Sequence, residues 1–342
     1  MPPISLCGVP PRQFRRMKKW LLPSDFIQIL GFMTFAWGWP ILGLKALEMF
    51  CGVGMVEQSF LDINLNAGGF DLCRSPLMDF LSGMGFVHAT QLSRELEWRG
   101  LQHWDTVCSS WVWLTRSVTK RTLWNILGDP CNKFTQDGNL MVSRMCVLVI
   151  FMLSKFCPYL LEQPGTSIMR HHPRMEFVEA AALALKALLA EEELLEEDTG
   201  LEELTTWMAA FGAQTAKRSL MITSHGKIID PLHRRLTRDQ LRRLEGEDTT
   251  DERIVVENGI VKRKVTGRKH LIRGTEVYPK GYGQAVCSSY LRWRSLPRRD
   301  DVDSGTSSES DYAEFSDSWP DAQLQSPLEL LGAQCPGAPR VY

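Results

Sequence analysis

Two side chains in this 342-residue chain carry the residue types of covalent chemistry at places where a fold could use them. Cys108 lies in "WDTVCSSWVWLTR" (104–116), between an apolar lead-in and a polar, arginine-bearing loop, and Glu162 lies in "PYLLEQP" (158–164). A thiolate is a nucleophile and a carboxyl group a proton donor, so the two on neighbouring strand ends have the parts for nucleophilic catalysis. A second group is a turn. "EMFCGVG" places Glu48 and Phe50 ahead of Gly52 and Gly54, and glycines there let a ligand approach the backbone and leave helix N–H groups free. Asp71, in "FDL" (70–72), is an acid of the kind that accepts bonds from ribose hydroxyls. Each feature also has a plainer account: Cys108 as a small buried residue, Glu162 as the partner of Arg170 or Arg174, the glycines as one of many such turns. Taken alone, the residues favour the plainer accounts of Cys108 and Glu162.

The elements that would position these residues alternate between two periods. "LKALEMF" (44–50) is short, apolar and followed at once by glycine, which reads as a buried strand. Helical spacing follows in "MVEQSFLDINLNAGG", with Asn66-Ala-Gly-Gly as its end, then a short strand at "FDL". "PLMDFLSGMGF" and "ATQLSRELEWRG" read as helices, "WDTV" (104–107) as a strand, and "GNLMVSRMCVLVIFMLSKF" (138–156) as an apolar helix that covers the sheet. "PYLLEQP" is a further strand, and 175–198 is an Ala/Leu/Glu helix with an acidic outer face. Strands alternating with helices predict an α/β protein with a mostly parallel sheet and helices on both faces. "RIVVENGIVKRKV" predicts a hairpin across Asn258-Gly259.

Composition narrows the class. The chain is 44% hydrophobic and 23% charged with a net charge of −1, ordinary for a protein that buries a core. The balance is local: residues 217–299 hold twenty Lys/Arg against nine Asp/Glu, and residues 300–326 hold eight acids and no Lys or Arg. A basic block followed by an acidic tail points to an anionic partner and a solvated end. Nine cysteines without CxxC pairs read as reduced intracellular thiols rather than a disulfide framework. No zinc spacing appears, and His171-His172 has no ligand partners in sequence, so no metal is expected. "FIQILGFMTFAWGWPILGL" (26–44), after the basic "RQFRRMKKW", is about long enough to span a bilayer. Gln28, three glycines and Pro40 weigh against a span, so membrane contact there is not favoured.

The order of the pieces, "EMFCGVG…FD…VCSSW…LEQP", resembles the cytosine-5 DNA methyltransferases. A closer likeness is to a divergent group of methyltransferase-like proteins from protists such as dinoflagellates. It is carried by "VCSSWVWLTRSVTKR", "LGD", "GN", "LEQPGTSIMRHHPR" and "WMAAFGAQTAKR", and it spans roughly residues 44–290. "RRLTRDQLRRLEG" (234–246) and "YGQAV" (282–286) are weaker echoes. The resemblance implies a Rossmann-like methyltransferase fold using S-adenosylmethionine, held by Glu48, Phe50, Gly52, Gly54, Asp71 and Asp79. It implies Cys108 as nucleophile and Glu162 as the carboxylate that holds the base. Nucleic acid, DNA foremost, would lie along 217–299, which places the protein in the nucleus. Arg116, Lys120 and Arg121 would favour the thiolate, and Trp111 and Trp113 would stack on a flipped base or pack in the core. The family's Pro-Cys is Val107-Cys108 here, and its Glu-Asn-Val is Glu162-Gln163-Pro164. Only a short stretch separates "AKR" from "RRLT", where such enzymes carry a target-recognition domain. The organisation expected is a basic then apolar segment at 1–43 and a methyltransferase core at 44–212. A small basic α+β extension at 213–299 completes the fold, and an acidic disordered tail follows at 300–342. Methyl transfer to RNA, protein or a small molecule, or a non-catalytic binding role, remain the alternatives.

Overall fold

The central strand organises the molecule. In the computed structural model, which describes residues 42–191, 199–244, 250–257, 260–267 and 277–295, β1 (Leu44–Met49) pairs in parallel with β2 (Ala67–Phe70) and with β3 (Leu96–Trp104). β4 (Tyr159–Pro164) continues in parallel beside β3. β5 (Thr199–Trp207) and β6 (Arg218–His225) complete the order β2-β1-β3-β4-β6-β5, with β6 antiparallel to both neighbours. Five strands therefore share one direction and one is reversed. The chain steps outward from β1 to β2, then returns past β1 to β3. That reversal creates a switch point at the carboxyl ends of β1 and β3, the place where open α/β sheets bind their ligands.

Helices longer than one turn are α1 (Met55–Leu61), α2 (Gly83–Glu95), α3 (Lys133–Ser154), α4 (Met175–Glu191), α5 (Arg238–Leu244) and α6 (Lys280–Arg294) among the described residues. Both faces of the sheet are covered, and residues of alternating parity divide between them. Leu47, Met49, Trp104 and Leu161 belong to a core shared with α2, α3 and α4. Ala46, Leu101, Leu160 and Met221 belong to a second core with α1 and α6. This is the Rossmann-like arrangement that strand–helix alternation predicts. α3 is the one helix among the described residues long and apolar enough to cross a membrane. Its run Met145–Ser154 is buried, so it covers the sheet, and Asn132 caps its start by accepting the Thr135 N–H at 3.2 Å.

Three boundaries differ from the sequence reading. α1 stops at Leu61, and Ala67–Phe70, read as the helix end, is the strand. The reason lies in its glycines: a Cβ on Gly68 would stand 3.2 Å from the Leu44 side chain, and one on Gly69 2.5 Å from Arg74 and Glu57. Strand glycines mark such close approaches. β3 starts at Leu96, inside the segment read as helical, because Leu96 and Leu101 are fully buried against β1. It ends at Trp104, so "WDTV" is the exit from the strand. β7 (Thr250–Glu257) and β8 (Ile260–Gly267) pair antiparallel with Glu257 opposite Ile260. The Asn258-Gly259 turn, the stretch before Leu42 and the acidic stretch from 300 lie outside the described residues.

Candidate functional site

Strand parity sets polar groups in one row. Ala46, Leu101 and Leu160 face α1 and α6, and two residues further along each strand come Glu48, His103 and Glu162. Glu48 and His103 are directly opposed in the β1–β3 register. Asp105 continues the series, its N–H donating to Met49 O at 3.0 Å. All of these groups lie at the carboxyl edge of the sheet.

Glu48, His103 and Glu162 are buried, and burial shifts the titration of Glu48, His103 and Asp105. Glu48 is fully enclosed and accepts the Glu57 N–H at 2.7 Å, yet burial pushes its carboxyl up to about 8. Burial pulls the His103 imidazole down to about 3. Its Nε2 lies 2.9 Å from the Tyr282 hydroxyl and its Nδ1 3.3 Å from Asp105 Oδ1. Asp105 is held well above the usual carboxylate range by burial, reinforced by the charges of Glu48 and Glu162. Glu162 accepts the Tyr278 hydroxyl on Oε2, and Lys217 Nζ lies 3.4 Å from its Oε1. Burial works to lower the Lys217 ammonium, but Glu162, Cys108 and Asp105 outweigh it and raise it.

Cys108 is half-buried in the turn beyond Asp105, where its carbonyl accepts the Trp111 N–H at 2.8 Å. Lys217 is a cation whose charge is coupled to it. Arg121 is fully buried, donates to Ile126 O at 2.6 Å, Asn139 Oδ1 at 2.8 Å and Thr135 O at 3.0 Å, and stacks 3.5 Å over the Trp111 ring. Burial lowers it to about 10. Lys120 turns its amine to Ser117 O at 2.6 Å. Trp111 has no exposed surface, so of the two tryptophans only Trp113, 43% exposed, is open to a ligand.

The glycine turn has the backbone its residues predict. Phe50, Gly52 and Gly54 have φ of 61°, 50° and 78°, left-handed values that glycine adopts freely and Phe50 only under constraint. The Phe50 ring sits edge-on to Phe80, 5.1 Å between centroids, and so belongs to the aromatic wall. A Cβ on Gly52 would meet nothing within 4 Å, whereas one on Gly54 would lie 2.4 Å from the Arg74 guanidinium. Arg74, one-third exposed, pairs with Glu57 across this turn. Asp71 accepts the Gly52 N–H at 2.9 Å and the Cys73 N–H at 2.7 Å, which leaves lone pairs on both oxygens for a ligand. Asp79 shapes the entry to α2, accepting the Leu81 N–H at 2.9 Å. A nucleoside-bearing cofactor at this turn would have to displace the Arg74 guanidinium, which fills the space beside Gly54 and Gly69 and pairs with Glu57.

Glu48, Asp71, Cys108 and Glu162 all stand at one edge of the sheet. His103, Asp105, Lys217, Tyr278 and Tyr282 complete the cluster and were not singled out from sequence. His103 and Asp105 carried a signal, two-residue spacing at the end of an apolar strand. A cavity of about 850 Å³ opens elsewhere, at the β5–β6 edge beside Asp230 and Arg235, and shares no residue with this cluster.

The fold and the polar row define an open-sheet α/β protein with a cluster of polar groups at its switch point. No protein-family model matches the chain, and no curated protein matches it in sequence. Among solved structures it is similar to the Entamoeba histolytica methyltransferase EhMeth, at 9% identity, over 73% of this chain and 96% of that one, with a TM-score of 0.33.

Proposed function

We propose that the protein is an S-adenosylmethionine-dependent methyltransferase, most closely of the cytosine-5 DNA type. The observation that carries this reading is the position of Cys108. It follows β3 at the switch-point edge, under the charge of Lys217, with the glycine turn after β1 on one side and Glu162 of β4 on the other.

S-adenosylmethionine, when bound, supplies a methyl group on a sulfonium. Gly52 and Gly54 would admit it to the backbone, Asp71 would accept from its ribose, and Arg74 would meet its carboxylate. Glu48 and Asp79 act on the shape of that site, the first by tying down the start of α1 and the second by setting the entry to α2. Cys108 Sγ would bond to carbon 6 of a cytosine that has left the duplex, since stacking shields the ring. Glu162 would hold ring nitrogen 3 and give it a proton as charge develops there, which makes carbon 5 the nucleophile. Removal of the carbon 5 proton by a base then returns the electron pair and expels the thiolate. The exposed Arg234, Arg235, Arg238, Arg242 and Arg243 of the basic block would meet phosphates. DNA as substrate would place the protein in the nucleus.

Methyl transfer to another substrate, with Cys108 as a packing residue, is the second reading. Two observations favour it: both Glu162 oxygens are engaged, by Tyr278 and Lys217, and no proline precedes the cysteine. The decisive experiment incubates the protein with 5-fluorocytosine DNA and S-adenosylmethionine. A covalent complex that Cys108→Ser abolishes supports the first reading. Cofactor binding by calorimetry without any adduct favours the second, and no cofactor binding defeats both and leaves a non-catalytic binding protein.

A further inference from the structure

We propose that Glu48, His103 and Asp105 form a binding site for one divalent transition-metal ion. The sequence offered no metal spacing because the ligands come from two strands, and only the register brings Glu48 beside His103. One ligand atom from each residue lies within 4.8 Å of the other two. Bonds of about 2.0–2.2 Å to nitrogen and carboxylate oxygen would draw the three together by an ångström or less.

The three residues present polar atoms that the protein itself does not satisfy. Glu48 Oε1, His103 Nδ1 and both Asp105 oxygens are enclosed and have no hydrogen-bond partner, although buried polar atoms ordinarily have one. His103 Nε2 lies 2.9 Å from the Tyr282 hydroxyl, a partner that can accept the Nε2 proton and so free Nδ1 for a metal. With the proton on Nε2, the Nδ1 lone pair faces Asp105 Oδ1 at 3.3 Å. Two lone pairs at that distance repel unless a proton or a metal ion lies between them. A metal-bound imidazole whose other N–H is held by a polar partner is the usual arrangement at metal centres.

One imidazole with two carboxylates suits zinc or manganese better than the harder magnesium, which favours an all-oxygen shell. Three protein ligands leave coordination positions open. Glu48 and His103 have no exposed surface, whereas the Asp105 side chain keeps 6%, so Asp105 marks the approach.

The test uses the full chain, stripped with chelator and dialysed, and titrated with Mn(II) and Co(II), which separate carboxylate–imidazole binding from binding at the cysteines. The expected result is one equivalent bound with micromolar or tighter affinity, without sulfur-to-cobalt charge-transfer absorption. His103→Gln and Asp105→Asn should each weaken binding at least tenfold. Tyr282→Phe, which keeps the ring packing, should weaken it by about 10–100-fold, the range for loss of an outer-shell partner; it keeps the test valid if a ligand variant misfolds. Binding weaker than millimolar, thiolate absorption with cobalt, or affinity unchanged in all three variants would overturn the proposal. None of these readouts depends on methyl transfer.

Discussion

Tyr278 donates its phenolic proton to Glu162 across 116 residues of sequence, and the acceptor is a carboxylate already held by Lys217. Hydrogen bonds to charged groups contribute about 1.5–3 kcal/mol. Tyr278→Phe should therefore lower stability by about that much in urea unfolding. Glu162→Gln should lower methyl transfer by about 10²–10⁴-fold, the contribution of a positioned acid, with the circular dichroism spectrum retained. A Tyr278→Phe protein as stable as the parent would remove the bond from the account.

Lys217 is the cation assigned to Cys108. Lys217→Met should slow alkylation of Cys108 by iodoacetamide at pH 7 by about 3- to 10-fold, because a cation beside a thiol favours the thiolate. Lys120→Met, whose amine is turned to Ser117 O, should leave the rate unchanged. Peptide mass spectrometry separates Cys108 from the other eight cysteines. Equal slowing in both variants would contradict the assignment.

Two glycines at the start of α2 should respond in opposite directions. A Cβ on Gly85 would stand 1.9 Å from Asp79 O, whereas one on Gly83 would meet nothing within 4 Å. Gly85→Ala should destabilise by about 1–3 kcal/mol through overpacking. Gly83→Ala should stabilise by about 0.4–1 kcal/mol through the unfolded chain. Denaturant midpoints with unchanged slopes check both.

His172 gives a pH dependence. It is buried edge-on to Trp111, 5.7 Å between centroids, and burial, followed by Arg174 and Arg121, lowers its imidazole to about 4. The folded protein keeps it neutral down to about 4, while the unfolded chain takes up the proton below about 6.5. The unfolded state thus binds more protons between these values. The contribution of His172 is full above pH 6.5 and is lost as pH falls toward 4. Its size is up to about 3 kcal/mol at 1.4 per unit. His172→Gln should flatten the stability profile by one proton in that window, and a parallel profile would refute it.

The fold was legible where one element meets one signal. "LKALEM" and "YLLEQP" are short apolar runs before turn residues, and both are strands. Asn132 ahead of the apolar 138–156 stretch is the cap that starts α3. Sequence failed where tertiary pairing overrides local pattern. Leu96–Gly100 looks helical, yet β1 holds it as a strand through a register shift beside Arg99 at a φ of 64°. The placement of Cys108, Glu162, Glu48 and Asp71 along one sheet edge was readable, because each lies near the end of a strand or just past it. Lys217 and Tyr278 were not, because nothing near them in sequence shows that a hydrophobic face carries them to a carboxylate. The same limit applies to Arg121: three residues after Val118 it reads as a loop cation, and only the packing shows it satisfied inside the core.

The covering of the polar row by α6 has a consequence in time. His103 and Tyr282 are 179 residues apart, and at about 5–20 residues per second a ribosome needs roughly 10–40 s to make the intervening chain. Throughout that interval the nascent chain carries Ala46 and Leu101, joined in its course by Leu160, without the helix that covers them. The growing polypeptide therefore keeps that apolar face and the polar row uncovered until the last described helix docks.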